Sequence, residues 1–143
     1  MALRGGDKMV VKLGRIARNA TTGKVLRVGF PSDALYPDGT PVAMIAAAQN
    51  YGTETIPPRP FFSNMVDEHK GEWAREMRDM RELNYDANEM LAELGDIIAD
   101  QLWESVQDGD FAPLAEATVA KKGHDQPLID KKIMLAAITW WLE

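Results

Sequence analysis

Between Val66 and Leu102 the apolar residues return at every third or fourth position, and that spacing is the strongest constraint on what this chain can fold into. Val66, His69, Trp73, Met77, Met80 and Leu83 share one side of a helical period, and Met90, Leu91, Leu94, Ile98 and Leu102 continue the stripe. Asp86 and Glu89 have the spacing of a capping box, so the helix is expected to kink or restart near Asn84-Tyr85, and Gly109 ends it. A stripe this long must be covered by another element of the fold.

The flanking segments supply that cover. Asp7 can cap a short first helix, with Met9, Leu13, Ile16 and Ala17 at helical spacing up to Asn19. Val25 to Phe30 alternates, with Leu26, Val28 and Phe30 on one side, which predicts a strand. Pro31 and Tyr36-Pro37-Asp38-Gly39 then impose a loop or hairpin end, because proline cannot donate to a ladder and Asp-Gly favours a turn. Thr40 followed by Pro41 matches an N-cap with proline at the first helical position, and alanine-rich Val42–Tyr51 runs as a helix until Gly52. Helical spacing starts again at Ser63. Pro113 can open a short helix through Lys122, with Gly123 ending it. Pro127-Leu128-Ile129-Asp130 leads into Met134 to Leu142, a segment that reads as a helical turn followed by a strand of β-branched and aromatic residues, Ile138-Thr139-Trp140-Trp141-Leu142. One domain over 1–143 follows, of α+β class, with a small antiparallel sheet packed against a long amphipathic helix or helix pair; residues 1–24 form a basic N-terminal helical segment.

Charge is distributed unevenly along the 143 residues, whose net charge is −6. Residues 1–30 carry seven bases against Asp7, a net +6, which leaves −12 for the remainder. Between Asp67 and Asp110 fourteen carboxylates face Lys70, Arg75, Arg78 and Arg81, a net −10. Opposite portions of this kind attract within a chain or between copies. The basic portion has no interleaved aromatics and the rest of the chain repels a polyanion, so weak DNA binding or none is expected. No apolar run reaches the length of a membrane span, and the N-terminus lacks the apolar stretch of a signal peptide; the expectation is synthesis in the cytoplasm with no membrane partner.

Enzymatic chemistry finds little to use. There is no cysteine for thiolate catalysis or metal ligation. Glu68, Glu72 and Glu76, and likewise Glu89 and Glu93, share helix faces, but on the polar side of the stripe, where nothing shifts a carboxylate toward acid–base work. His69 lies one turn before Trp73 on the apolar stripe and reads as a packed helix residue, and neither it nor His124 has a ligand spacing. Nucleophile elbows, phosphate loops and dinucleotide fingerprints are missing from the sequence. No catalytic residue, cofactor site or metal site is expected.

Recognition is the remaining use for the unusual residues. Ile56, Pro57, Pro58, Arg59, Pro60, Phe61 and Phe62 form a proline-stiffened loop able to present Arg59 to a carboxylate and Phe61 as an apolar plug, or else to close against its own helix. Trp73 and Trp103 fall on helical stripes. Trp140 and Trp141 must point to opposite faces of a strand, which makes one of them either an interface anchor or part of a two-sided core.

These motifs, in this order, resemble a bacteriophage tail-component family related to tail-completion and virion-morphogenesis proteins. The elements are Val28-Gly29-Phe30, Tyr36-Pro37-Asp38-Gly39, the Val42–Tyr51 helix with Gly52, and Ile56-Pro57-Pro58-Arg59-Pro60-Phe61. Pro113-Leu114-Ala115-Glu116-Ala117-Thr118 with Lys121, and Pro127-Leu128-Ile129-Asp130, are similar to the family's later segments. Asn50 departs from the acidic residue usual before the aromatic-Gly pair, and Lys131-Lys132 from the usual Thr-Gly. The resemblance implies a non-enzymatic virion protein of the neck or upper tail, made in the host cytoplasm, a homo-oligomeric ring acting in tail completion or head–tail joining alongside other neck and tail proteins, with DNA at most passing through the ring. A tail terminator or head-closure ring is the neighbouring alternative, and a prophage-encoded enzyme or DNA-binding protein the alternative of another class.

Overall fold

The computed structural model describes residues 23–109 and 127–143, with side chains from Lys131 onward in the second stretch. The helices expected over 7–19 and from Pro113 through Lys122 lie outside these residues. The described elements are β1 (Leu26–Gly29), α1 (Val42–Tyr51), α2 (Phe61–Glu82), α3 (Ala87–Asp108), α4 (Pro127–Ala137) and β2 (Thr139–Leu142). They form an α+β fold, a two-stranded antiparallel sheet on a helical framework.

α2 and α3 are the two halves of the long stripe. Trp73, Met77 and Met80 of α2, and Met90, Leu91, Leu94, Ile98, Leu102 and Val106 of α3, are all buried. Burial of each such side chain stabilises the fold by roughly 1.5–3 kcal/mol. The Trp73 indole donates to Gln101 Oε1 at 2.6 Å, which satisfies its polar atom across the helix pair. The joint between the helices is built from local chemistry. Asn84 N–H donates to Arg81 O and Tyr85 N–H to Met80 O, with Asn84 at φ 60°, the pattern of a Schellman turn. Asp86 then accepts from Asn88 N–H at 3.1 Å while Glu89 accepts from Asp86 N–H at 3.2 Å, so the capping box is present and the helix restarts rather than kinks. Leu83, expected on the apolar stripe, is instead 70% exposed, because it sits past the last helical turn as the C-cap.

α3 is the central element: α2, α4, β1 and β2 all pack on it. β1 pairs with β2 in the register Leu26↔Leu142, Arg27↔Trp141, Val28↔Trp140 and Gly29↔Thr139. Val25 and Glu143 exchange both backbone hydrogen bonds at the end of the pair, and the Arg27 guanidinium reaches the Glu143 carboxylate at 2.7 Å.

Three local expectations are corrected. Pro41, not Thr40, is the cap of α1, with ψ 131°; its pairing with Leu35 holds it extended, so the first helical residue is Val42. α2 begins at Phe61, two residues before Ser63. The helical turn expected before the last strand is the end of a longer helix, Pro127–Ala137, that runs straight through Lys131 and Lys132. No helix among the described residues is long and apolar enough to cross a membrane.

Candidate recognition loop

The segment from Gly52 to Pro60 joins α1 to α2 and is fastened at four places. Gly52 begins it with φ 76°, donating to Ala48 O, and a Cβ there would lie 2.9 Å from Pro58 N and 3.0 Å from Ile56 O. Only glycine combines that backbone conformation with so close a fold-back. Thr53 staples the tip: its hydroxyl accepts from Thr55 N–H at 3.3 Å and Ile56 N–H at 3.0 Å, and its own N–H donates to Ile56 O. Arg59 N–H then returns to Gln49 O on α1 at 2.6 Å.

The fourth fastening is Asn50. It is 2% exposed, and its Oδ1 accepts from Phe62 N–H at 3.0 Å and Ser63 N–H at 3.1 Å while its Nδ2 donates to Ser63 Oγ at 2.9 Å. The chain residue at the N-cap of α2 is Pro60, which has no side-chain acceptor. Asn50 therefore caps α2 from another helix, and the two amides it satisfies are among those a helix start leaves orphaned. A carboxylate at this position would accept the same two bonds.

The loop divides the candidate residues into two groups. Pro57, Pro58, Arg59 and Pro60 are exposed and Ile56 is half-buried, whereas Phe61 and Phe62 are 7% and 4% exposed in the core, edge to face with centroids 6.5 Å apart. Phe61 is thus no outward plug. It closes the loop against its own helices, with its carbonyl accepting from Ser105 Oγ of α3 at 2.7 Å. The Arg59 side chain makes no ion pair among the described residues.

Trp140 and Trp141 do project differently, and both are half-buried. Trp140 lies on α3, where a Cβ at Gly95 would come within 2.6 Å of its ring, and its indole N–H donates to Asp96 Oδ1 at 2.8 Å. Trp141 bonds to Glu143 Oε1 at 3.2 Å. The Arg27 and Trp141 hydrogen bonds, in that order, hold the Glu143 carboxyl below its ordinary value of 4.5. The loop and the tryptophans are separate sites joined through α3: Ser105 holds the loop and Gly95 the strand, about 15 Å apart at 1.5 Å per helical residue. Trp103, placed on a helical stripe by its spacing, is 43% exposed on α3, one position off the buried row through Leu102 and Val106.

Carboxylates do not gather into a reactive group. Glu68, Glu89 and Glu93 are exposed and Glu72 and Glu76 half-buried; Glu72 Oε2 lies 3.1 Å from Nδ1 of half-buried His69. Among the described residues there is no set of three or more His, Asp or Glu side chains placed to hold a metal ion.

The cap made by Asn50, the Gly95–Trp140 contact and the Ser105 bond are not visible as sequence motifs. Gly95 left the clearest trace, a glycine in mid-helix on the buried side between Leu94 and Ile98. No protein-family model, curated protein or solved structure matches the chain.

Proposed function

We propose that the chain is a non-enzymatic structural subunit of a bacteriophage neck or upper tail, acting in tail completion or head–tail joining as a ring of identical copies. The observation that carries this reading is the built loop. The Ile56-Pro57-Pro58-Arg59-Pro60 segment that bears the family resemblance is the one tied down by Gly52, Thr53 and Asn50, and it holds Arg59 exposed with no ion pair among the described residues. Ordering a loop in advance lowers the entropy cost of contact, which suits an assembly subunit. Arg59 is a planar donor fork matched to a carboxylate on a neighbour. The polarity of the chain, +6 over residues 1–30 and −12 over the rest, supplies two different patches of the kind a heterologous ring contact needs.

Native mass spectrometry of the full chain at micromolar concentration, together with imaging of assembled particles, tests the reading. Closed rings, or copies located at the neck, are the expected result. A chain that stays monomeric and is missing from assembled particles overturns it.

A further inference from the structure

Copies that each carry −6 repel one another unless opposite patches are brought face to face. α3 offers one such patch. Glu89, Glu93, Asp96, Asp100, Glu104 and Asp108 recur at intervals of three or four along it, all exposed, and the helix contains no lysine or arginine. That spacing lines them up on one side, over about 28 Å at 1.5 Å per residue. Glu89 is engaged in the capping box and Asp96 by the Trp140 indole, but Glu93, Asp100, Glu104 and Asp108 make no ion pair among the described residues. Trp103 stands among them, 43% exposed, an apolar anchor set in an acidic face.

The matching charge lies in residues 1–22. Arg4, Lys8, Lys12, Arg15 and Arg18 against Asp7 give +4, and the first four recur at intervals of four, four and three, the same rhythm as the acids. Met9, Leu13 and Ile16 are interspersed with these bases in the sequence. We propose that the acidic, tryptophan-bearing face of α3 is the docking site for the basic N-terminal segment, residues 1–22, of a neighbouring copy. Pairing between copies, rather than within one, turns a chain of net negative charge into one with two unlike complementary faces, the condition for a closed heterologous ring. The proposal rests on the ring reading for its choice of partner.

Full-length copies grown on natural and on heavy nitrogen are mixed before assembly and treated with a carbodiimide, which couples a lysine amine directly to a carboxylate. Mass spectrometry should find Lys8 or Lys12 joined to Asp100 or Glu104 in peptide pairs of mixed isotope. The double variant Asp100→Lys, Glu104→Lys changes exposed residues only, should keep its circular dichroism, and should associate at least about tenfold more weakly by sedimentation. Adding Lys8→Glu and Lys12→Glu should restore association. Links confined to single-isotope pairs, links that avoid α3, or a double variant that associates normally would overturn the docking. Oligomers that form without mixed links leave the ring reading standing and the docking refuted. Mixed links within an open or dimeric assembly support the docking and refute the ring.

Discussion

Gly95 occupies mid-helix in α3, where glycine costs roughly 0.5–1 kcal/mol against alanine, and the Trp140 ring takes the space a methyl would fill. Gly95→Ala should therefore destabilise the fold: the propensity gain is smaller than the roughly 1–3 kcal/mol of displacing a packed ring bonded to Asp96. In a Trp140→Leu background the same substitution should change sign and stabilise. Thermal unfolding of the four chains reads this directly, and equal effects in both backgrounds would refute the contact. Asn50 offers a second residue-level test. Asn50→Ala leaves two amide groups at the start of α2 without an acceptor, at about 1–3 kcal/mol, while Asn50→Asp keeps both bonds and places a negative charge at a helix N-terminus. Aspartate should be the much milder change by denaturant unfolding. Glu143 adds a pH dependence. Its carboxyl is held below the ordinary value, so its contribution is present above that value and lost as pH falls through the lowered one. Glu143→Gln should be less stable than the parent chain near neutrality, with the gap closing in acid.

At the scale of elements, the α2–α3 hairpin depends on local chemistry at both sides of its turn. Asp86→Ala removes a side-chain acceptor of the capping box and should cost about 1 kcal/mol. Asn84, at φ 60°, is the only non-glycine residue with positive φ among those described. Asn84→Gly should be close to neutral, whereas Asn84→Val should cost about 1–2 kcal/mol or more, since a β-branched side chain resists that conformation. Urea midpoints separate the two. The far end of α3 is finished from another element: its last turn has no basic residue, and Lys131 of α4 donates to the carbonyls of Gln107 and Gly109. Lys131 thus places a cation where the helix dipole is negative.

For the whole molecule, the loop predicts a separation of stability from assembly. Arg59 is tied to α1 by its backbone N–H, which any non-proline residue retains. Arg59→Ala should leave the isolated chain within about 0.5 kcal/mol of the parent and, on the proposed role, lower the yield of tailed particles. A large fall in subunit stability with normal particle yield would instead assign the side chain to internal packing.

The sequence by itself determined the elements that rest on neighbours along the chain. The long stripe, the restart at Asp86 and Glu89, the ends at Gly52 and Gly109, and the two terminal strands were all legible, because periodicity, capping and turn formation act over a few residues. Tertiary structure alone decided the side on which each borderline residue falls. Phe61 and Phe62 follow a run that looks like a loop, yet they enter the core because Asn50 supplies the missing cap of α2 from across the fold. Leu83 and Trp103 fit an apolar period and are nevertheless exposed, one past a helix end and the other one position off the buried row. Trp140 is held on α3 by the absence of a side chain forty-five positions earlier. Contacts between residues far apart in sequence leave no periodic trace, so the loop's residues could be found from the sequence, but which of them face outward depended on what the rest of the fold packs behind them.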